Sequence, residues 1–336
     1  MKSTQRVGLL VAVMLLSGLA STAQAGRFFH RHRKSDCDQQ IPAITSGYGV
    51  DGSYTPDIQT IKTPGFSRKP VQVFFPVGAN GKRPVIFFSH GFGPGKWDTY
   101  ADLIKHMVSR GYIVVFSSYP EAFTSNEGRY SSLWQGFQAA AGQFPDRMDL
   151  SRVGFVGHSF GGGATPEMAY QGIVQHGWGK QGAFMMELAP WYSYRISNGQ
   201  LQQFPSDVLQ LIEVYDQDNT NDHRMAIDIY NNTQVHNRYF FMVHSTTVGG
   251  CEVTADHATP ARNVSLRQKQ YAVFKPFDAL ADAAFNGSAS ALSALSNMAL
   301  DTSGYQPLRL ETHPTPAEPE GYYKYPWNND DNPRAH

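Results

Sequence analysis

Along the body of the chain, apolar runs without polar alternation recur between segments of helical spacing. The runs 71–75, 84–89, 112–117, 153–156, 183–188, 208–215 and 238–243 predict strands. Strands that lack alternation are buried on both faces, the condition of a parallel sheet covered by helices. Residues 100–110 carry Leu103, Ile104, Met107 and Val108 at helical spacing, and 133–143 predict a second helix. A late helix over 268–285 is expected to close one face, followed by a short, small-residue helix over 288–299. Strands separated by helical stretches imply crossover units. The expected fold class is therefore α/β: a doubly wound, mostly parallel sheet of about eight strands with helices on both faces.

The two ends break this rhythm. Lys2 and Arg6 flank the start of an apolar run over 7–19, and Ala23-Gln24-Ala25 forms an A-x-A cleavage signature. Residues 1–25 are thus expected to be a signal peptide, and the mature protein secreted or periplasmic. The apolar run is shorter than the roughly 20 residues a membrane-spanning helix needs, so no integral membrane segment is expected after its removal. Residues 26–45, polar and basic with Arg27, Arg31, Arg33 and Lys34, predict a flexible leader. Residues 46–312 are expected to be one catalytic domain. Residues 313–336 are rich in Pro, Asn and aromatics and show no periodicity. They predict a mobile tail or a strap laid along the body; Tyr322, Tyr323, Tyr325 and Trp327 favour the strap.

Composition narrows the classes. The 336 residues are 41% hydrophobic and 17% charged, which fits a folded chain and excludes a disordered one. The formal net charge is zero, without the basic excess expected of a nucleic-acid partner. Cys37 and Cys251 are the two cysteines. In an oxidising compartment they can form one disulfide; two free or buried thiols are the other reading.

The candidate chemistry centres on Gly157-His158-Ser159-Phe160-Gly161, a G-x-S-x-G pentapeptide after a short apolar strand. A serine on a strained strand-to-helix turn is the geometry of a nucleophile elbow. Its hydroxyl needs a base, a carboxylate to orient the base, and donors for an oxyanion. The expected chain order is Ser, acid, His. After the strand 208–215 come Asp216, Asp218 and Asp222, of which Asp218 is favoured as the acid. A calcium loop on the same aspartates is disfavoured, because Asn221 stands at its turn position and Ile227 at its last ligand position. His257 is favoured as the base over His244, since it lies in a loop that can reach across the sheet. His158 and His90 are read as structural. The oxyanion donors are expected to be the N–H groups of Phe160 and of Phe92, in the run His90-Gly91-Phe92-Gly93.

Ser89-His90-Gly91-Phe92, Gly157-His158-Ser159-Phe160-Gly161-Gly162 and Leu188-Ala189-Pro190-Trp191 together resemble the α/β-hydrolase superfamily. The nearest branch holds bacterial cutinase-like polyester hydrolases, dienelactone hydrolases and platelet-activating-factor acetylhydrolases. The resemblance covers roughly residues 65–260. It implies an α/β-hydrolase fold and a serine esterase that cleaves small-molecule, lipid or polymeric esters without metal or organic cofactor. It also implies that Trp191 lines the substrate cleft, with Tyr192 and Tyr194 extending that wall. The chain departs from compact cutinase-like enzymes in four places. The spacing from Ser159 to Asp218 and the approach to His257 are longer, Pro166 falls in the helix after the elbow, and the region beyond 260 is extra. Lipase, phospholipase or peptidase activity on the same triad, or a non-catalytic binding protein on this scaffold, are the alternatives.

Overall fold

The computed structural model describes residues 34–62, 70–93, 95–261, 264–298 and 304–334. The expected signal peptide and residues 26–33 lie outside them. The strands are β1 (Pro56–Lys62), β2 (Pro70–Pro76), β3 (Arg83–Ser89), β4 (Ile113–Ser117), β5 (Met148–His158), β6 (Gly182–Leu188), β7 (Leu209–Tyr215), β8 (Asn237–Val243), β9 (Thr246–Val248), β10 (Cys251–Val253) and β11 (Leu308–Leu310). The helices are α1 (Lys34–Gln40), α2 (Ala101–Ser109), α3 (Asn126–Gln143), α4 (Phe160–Ala169), α5 (Asn198–Leu201), α6 (Arg224–Asn232), α7 (Leu266–Lys269), α8 (Lys275–Asn286) and α9 (Ala289–Asn297).

Nine strands form one sheet in the order β1-β2-β4-β3-β5-β6-β7-β8-β11. The run from β4 through β8 is parallel, and β1, β2 and β11 are antiparallel to their neighbours. Side chains of α2, α8 and α9 pack into the core on one face, and those of α3 and α4 into the core on the other. This is an α/β fold of hydrolase type. Every apolar run read as a strand from the sequence is one. The sheet exceeds the expected strand number because β1 and β11 are edge strands: β1 is exposed or half-buried at every position but Ile61, and β11 spans three residues.

Helix boundaries differ more. α3 starts at Asn126, because the Ser125 hydroxyl caps it by accepting the Gly128 N–H at 3.2 Å. The expected late helix contains a π-helical turn, Gln270–Phe274, just before Pro276, whose ring nitrogen donates no hydrogen bond.

The second half of the expected leader is ordered. Cys37 on α1 and Cys251 on β10 form a disulfide with their Cα atoms 5.4 Å apart, so neither is a free thiol. Ile41 is fully buried, and its carbonyl accepts from the Arg267 guanidinium at 2.7 Å. The C-terminal segment is a strap: the Arg334 guanidinium is buried against the Ser193 carbonyl and the Asp228 carboxylate. Among the described residues no helix is long and apolar enough to cross a membrane.

Candidate active site

Ser159 sits between the end of β5 and the first turn of α4, with φ 56° and ψ −120°. A residue without a Cβ is required two positions to either side for a steric reason. A Cβ on Gly157 would lie 2.2 Å from the Gly161 carbonyl oxygen, and one on Gly161 would lie 2.0 Å from that of Ser89. Such approaches are open only to glycine. The turn is pinned further: Ser159 N–H donates to Leu188 O at 2.9 Å, and Ser159 O accepts from Trp191 N–H at 2.9 Å and from Gly163 N–H at 3.0 Å. Surrounding hydrogen bonds hold the strained residue, which is half-buried, at the carboxyl end of the sheet.

The loops after β7 and β10 bring two partners to it. His257 Nε2 lies 2.9 Å from Ser159 Oγ, and His257 Nδ1 lies 2.7 Å from Asp218 Oδ2. An ionised carboxylate only accepts, so Nδ1 carries the proton and Nε2 is left to accept the serine O–H. Asp218 is buried, and its other oxygen accepts the N–H groups of Thr220 at 2.8 Å and Asn221 at 3.2 Å. The rival residues pair elsewhere. Asp216 accepts from Ser245 N–H at 2.8 Å and Ser245 Oγ at 2.7 Å, with His244 Nδ1 at 3.3 Å. Asp222 holds the Arg224 guanidinium and the Trp327 N–H. The long approach to His257 is explained by the β9–β10 hairpin, which turns on Gly249 and Gly250, both at positive φ.

His158 is a tie between the serine and histidine loops. Burial and the neighbouring His257 push its imidazole down to about 3, so the ring is neutral. Its Nε2–H donates to the His257 carbonyl at 2.8 Å, and its Nδ1 accepts from the Tyr100 hydroxyl at 2.9 Å. Tyr100 in turn accepts the Gly91 N–H at 3.0 Å; burial pushes the phenol up to about 12, so it remains a donor. One chain of hydrogen bonds therefore connects the loop after β3 to the backbone of His257. His90 stacks on Tyr119 at 4.1 Å and donates from Nδ1 to Gly91 O at 2.7 Å. The Tyr119 hydroxyl donates to the same carbonyl at 2.8 Å.

The two expected oxyanion segments meet at this corner. Phe160 is the first residue of α4, where a helix leaves N–H groups without intrahelical acceptors. Gly91 abuts the serine so closely that a Cβ there would lie 3.2 Å from Ser159 Cβ. The Phe92 and Phe160 rings meet edge to face at 6.5 Å, with the Arg129 guanidinium over both.

Trp191 is half-buried beside the elbow and donates from Nε1 to the Tyr194 hydroxyl at 3.2 Å. Tyr192 has a different place from the expected cleft wall. It is buried, and its hydroxyl exchanges two hydrogen bonds with the backbone of Asn328, at 2.8 and 3.2 Å. It anchors the strap. Tyr100, Tyr119, Asn221 and the strap residues carry no motif; Asn221 Nδ2 ties the acid loop to Ala189 O at 2.9 Å, a contact visible only in three dimensions. No protein-family model matches the chain, and no curated protein matches it.

Proposed function

We propose that the protein is an exported serine hydrolase that cleaves carboxylic esters. The observation that carries this reading is the continuous Ser159–His257–Asp218 hydrogen-bond relay on a strained elbow whose serine is only half-buried. Ser159 Oγ attacks the ester carbonyl while His257 Nε2 takes its proton. Asp218 holds the ring and stabilises the imidazolium that forms. The N–H groups of Phe92 and Phe160 receive the negative charge of the tetrahedral intermediate. Collapse expels the alkoxide as alcohol, protonated from His257 Nε2, and leaves an acyl group on Ser159. Water then attacks the acyl-enzyme with His257 as base, releasing the acid and restoring the hydroxyl. The Cys37–Cys251 bridge supports the export reading, since such bridges persist in oxidising compartments.

The test is a screen of purified mature protein against acyl esters and a peptide panel, with fluorophosphonate labelling of Ser159. Ester turnover and labelling are expected. Ser159→Ala and His257→Ala should each lower kcat about a thousandfold or more, as loss of a triad member does. His244→Ala should stay near the parent. Folded protein that neither labels at Ser159 nor turns over any ester would instead be a binding protein on this scaffold.

A further inference from the structure

The strap completes the site as well as covering the body. Lys324 N–H donates to Asn219 O at 2.7 Å and Tyr325 N–H to Thr220 O at 3.0 Å, while Asp222 N–H donates to Tyr325 O at 3.2 Å. The strap thus pairs, strand-like, with the segment immediately after Asp218. Farther on, Trp327 N–H donates to Asp222 Oδ2 at 2.9 Å, and Asn328 is gripped by Tyr192. Residue 325 is therefore fixed in position from both sides.

That register sets the Tyr325 ring 5.2 Å from Trp191, edge to face at 89°. Lys324 Nζ lies over the Tyr325 ring at 5.1 Å. The Trp191 N–H donates to the Ser159 carbonyl at 2.9 Å, so the segment that carries the Trp191 ring is tied to the backbone of the elbow. Tyr325 nonetheless remains 42% exposed and joins no buried cluster. A ring held in place beside the loop that carries Asp218, packed on Trp191 and still wet, is a contact surface for a ligand.

We propose that Tyr325, together with Trp191, is the wall against which the acyl part of the ester lies, and that Tyr325 determines specificity for extended apolar acyl groups over acetyl. This rests on the ester-hydrolase reading. The side chain lies on the surface and the pairing uses only backbone atoms, so substitution at 325 leaves the anchors in place.

The test measures binding and turnover separately. Binding of p-nitrophenyl acetate, butyrate and octanoate is titrated into Ser159→Ala protein, with and without Tyr325→Ala. Affinity should rise with acyl length, and Tyr325→Ala should remove about tenfold of the octanoate-over-acetate gain, the size of effect a lost pocket contact produces. With Ser159 intact, the same ratio in kcat/KM should fall by about tenfold. Tyr325→Phe, which keeps the ring, should hold the parent ratio in both. An unchanged length dependence in Tyr325→Ala would overturn the wall. Parent protein inert to every ester, with the binding gain still lost in Tyr325→Ala, would overturn the hydrolase reading and leave the wall standing.

Discussion

Residue by residue, the side chains that matter most are those whose environment forbids one of their charge states. His158 is held neutral so that it can donate to His257 O and accept from Tyr100. Removing it with His158→Ala should lower kcat by up to about a hundredfold through misplacement of His257, with a smaller change in KM. Steady-state kinetics beside a melting curve checks this. Its depressed pKa also has a stability sign: the contribution is fully present above the ordinary 6.5 and is lost as pH falls through about 3. Glu187 on β6 acts in the opposite direction. Burial pushes its carboxyl from 4.5 up to about 8, against a weaker lowering by Gln210, whose Nε2 donates to it at 3.2 Å. The folded state then holds a proton that the unfolded chain releases, so stability is full below 4.5 and is lost as pH rises through about 8. Glu187→Gln should raise the melting temperature at about pH 9 by several degrees and change it little at about pH 5. At this scale motif and chain order pointed to Ser159, Asp218 and His257, three side chains that the fold brings within hydrogen-bond reach of one another. The sequence was silent on the Gly91–Tyr100–His158 links, because a hydrogen bond between a loop and a helix start leaves no periodic trace.

The elements show where periodicity ends as a guide. Runs buried on both faces, such as β3 and β6, are continuous in sequence and were legible as strands. β1, with one wet face, and β11, with three residues, carry too little pattern to read. The first turns of α3 are polar, so only its apolar second half was visible from spacing. Packing between elements is less legible still. α2 and α8 are joined by His106, whose Nδ1 meets Asp51 at 2.8 Å and whose Nε2 meets Asp278 at 3.1 Å. Burial alone would lower this imidazole's pKa, and the Asp278 and Asp51 carboxylates more than reverse it. The same Asp278 accepts the Gly49 N–H at 2.8 Å. His106→Ala leaves a buried carboxylate without this imidazole, and should cost on the order of 3–5 kcal/mol in denaturant unfolding. The apolar spacing of 100–110 contains no hint of this clamp.

Across the whole molecule, the parallel run carries the candidate site at its carboxyl end, and two outlying segments close in on it. The strap pairs with the acid loop, and the Cys37–Cys251 bridge ties α1 to the hairpin that leads to His257. With a sequence separation of 214, the bridge should contribute up to roughly 5 kcal/mol by the chain-entropy argument. Cys37→Ser with Cys251→Ser should show most of that loss in a urea titration, and reductant should then have no further effect. The bridge also has a consequence for biosynthesis. Cys37 emerges early and must wait, as an open thiol, until every strand from β1 to β9 has been made. A lock that closes so late ties down a sheet whose strands, β11 apart, have already been synthesised. Protein produced in a reducing host should accordingly arrive folded but unsealed, and gain its resistance to urea only after air or a disulfide exchanger has reached it.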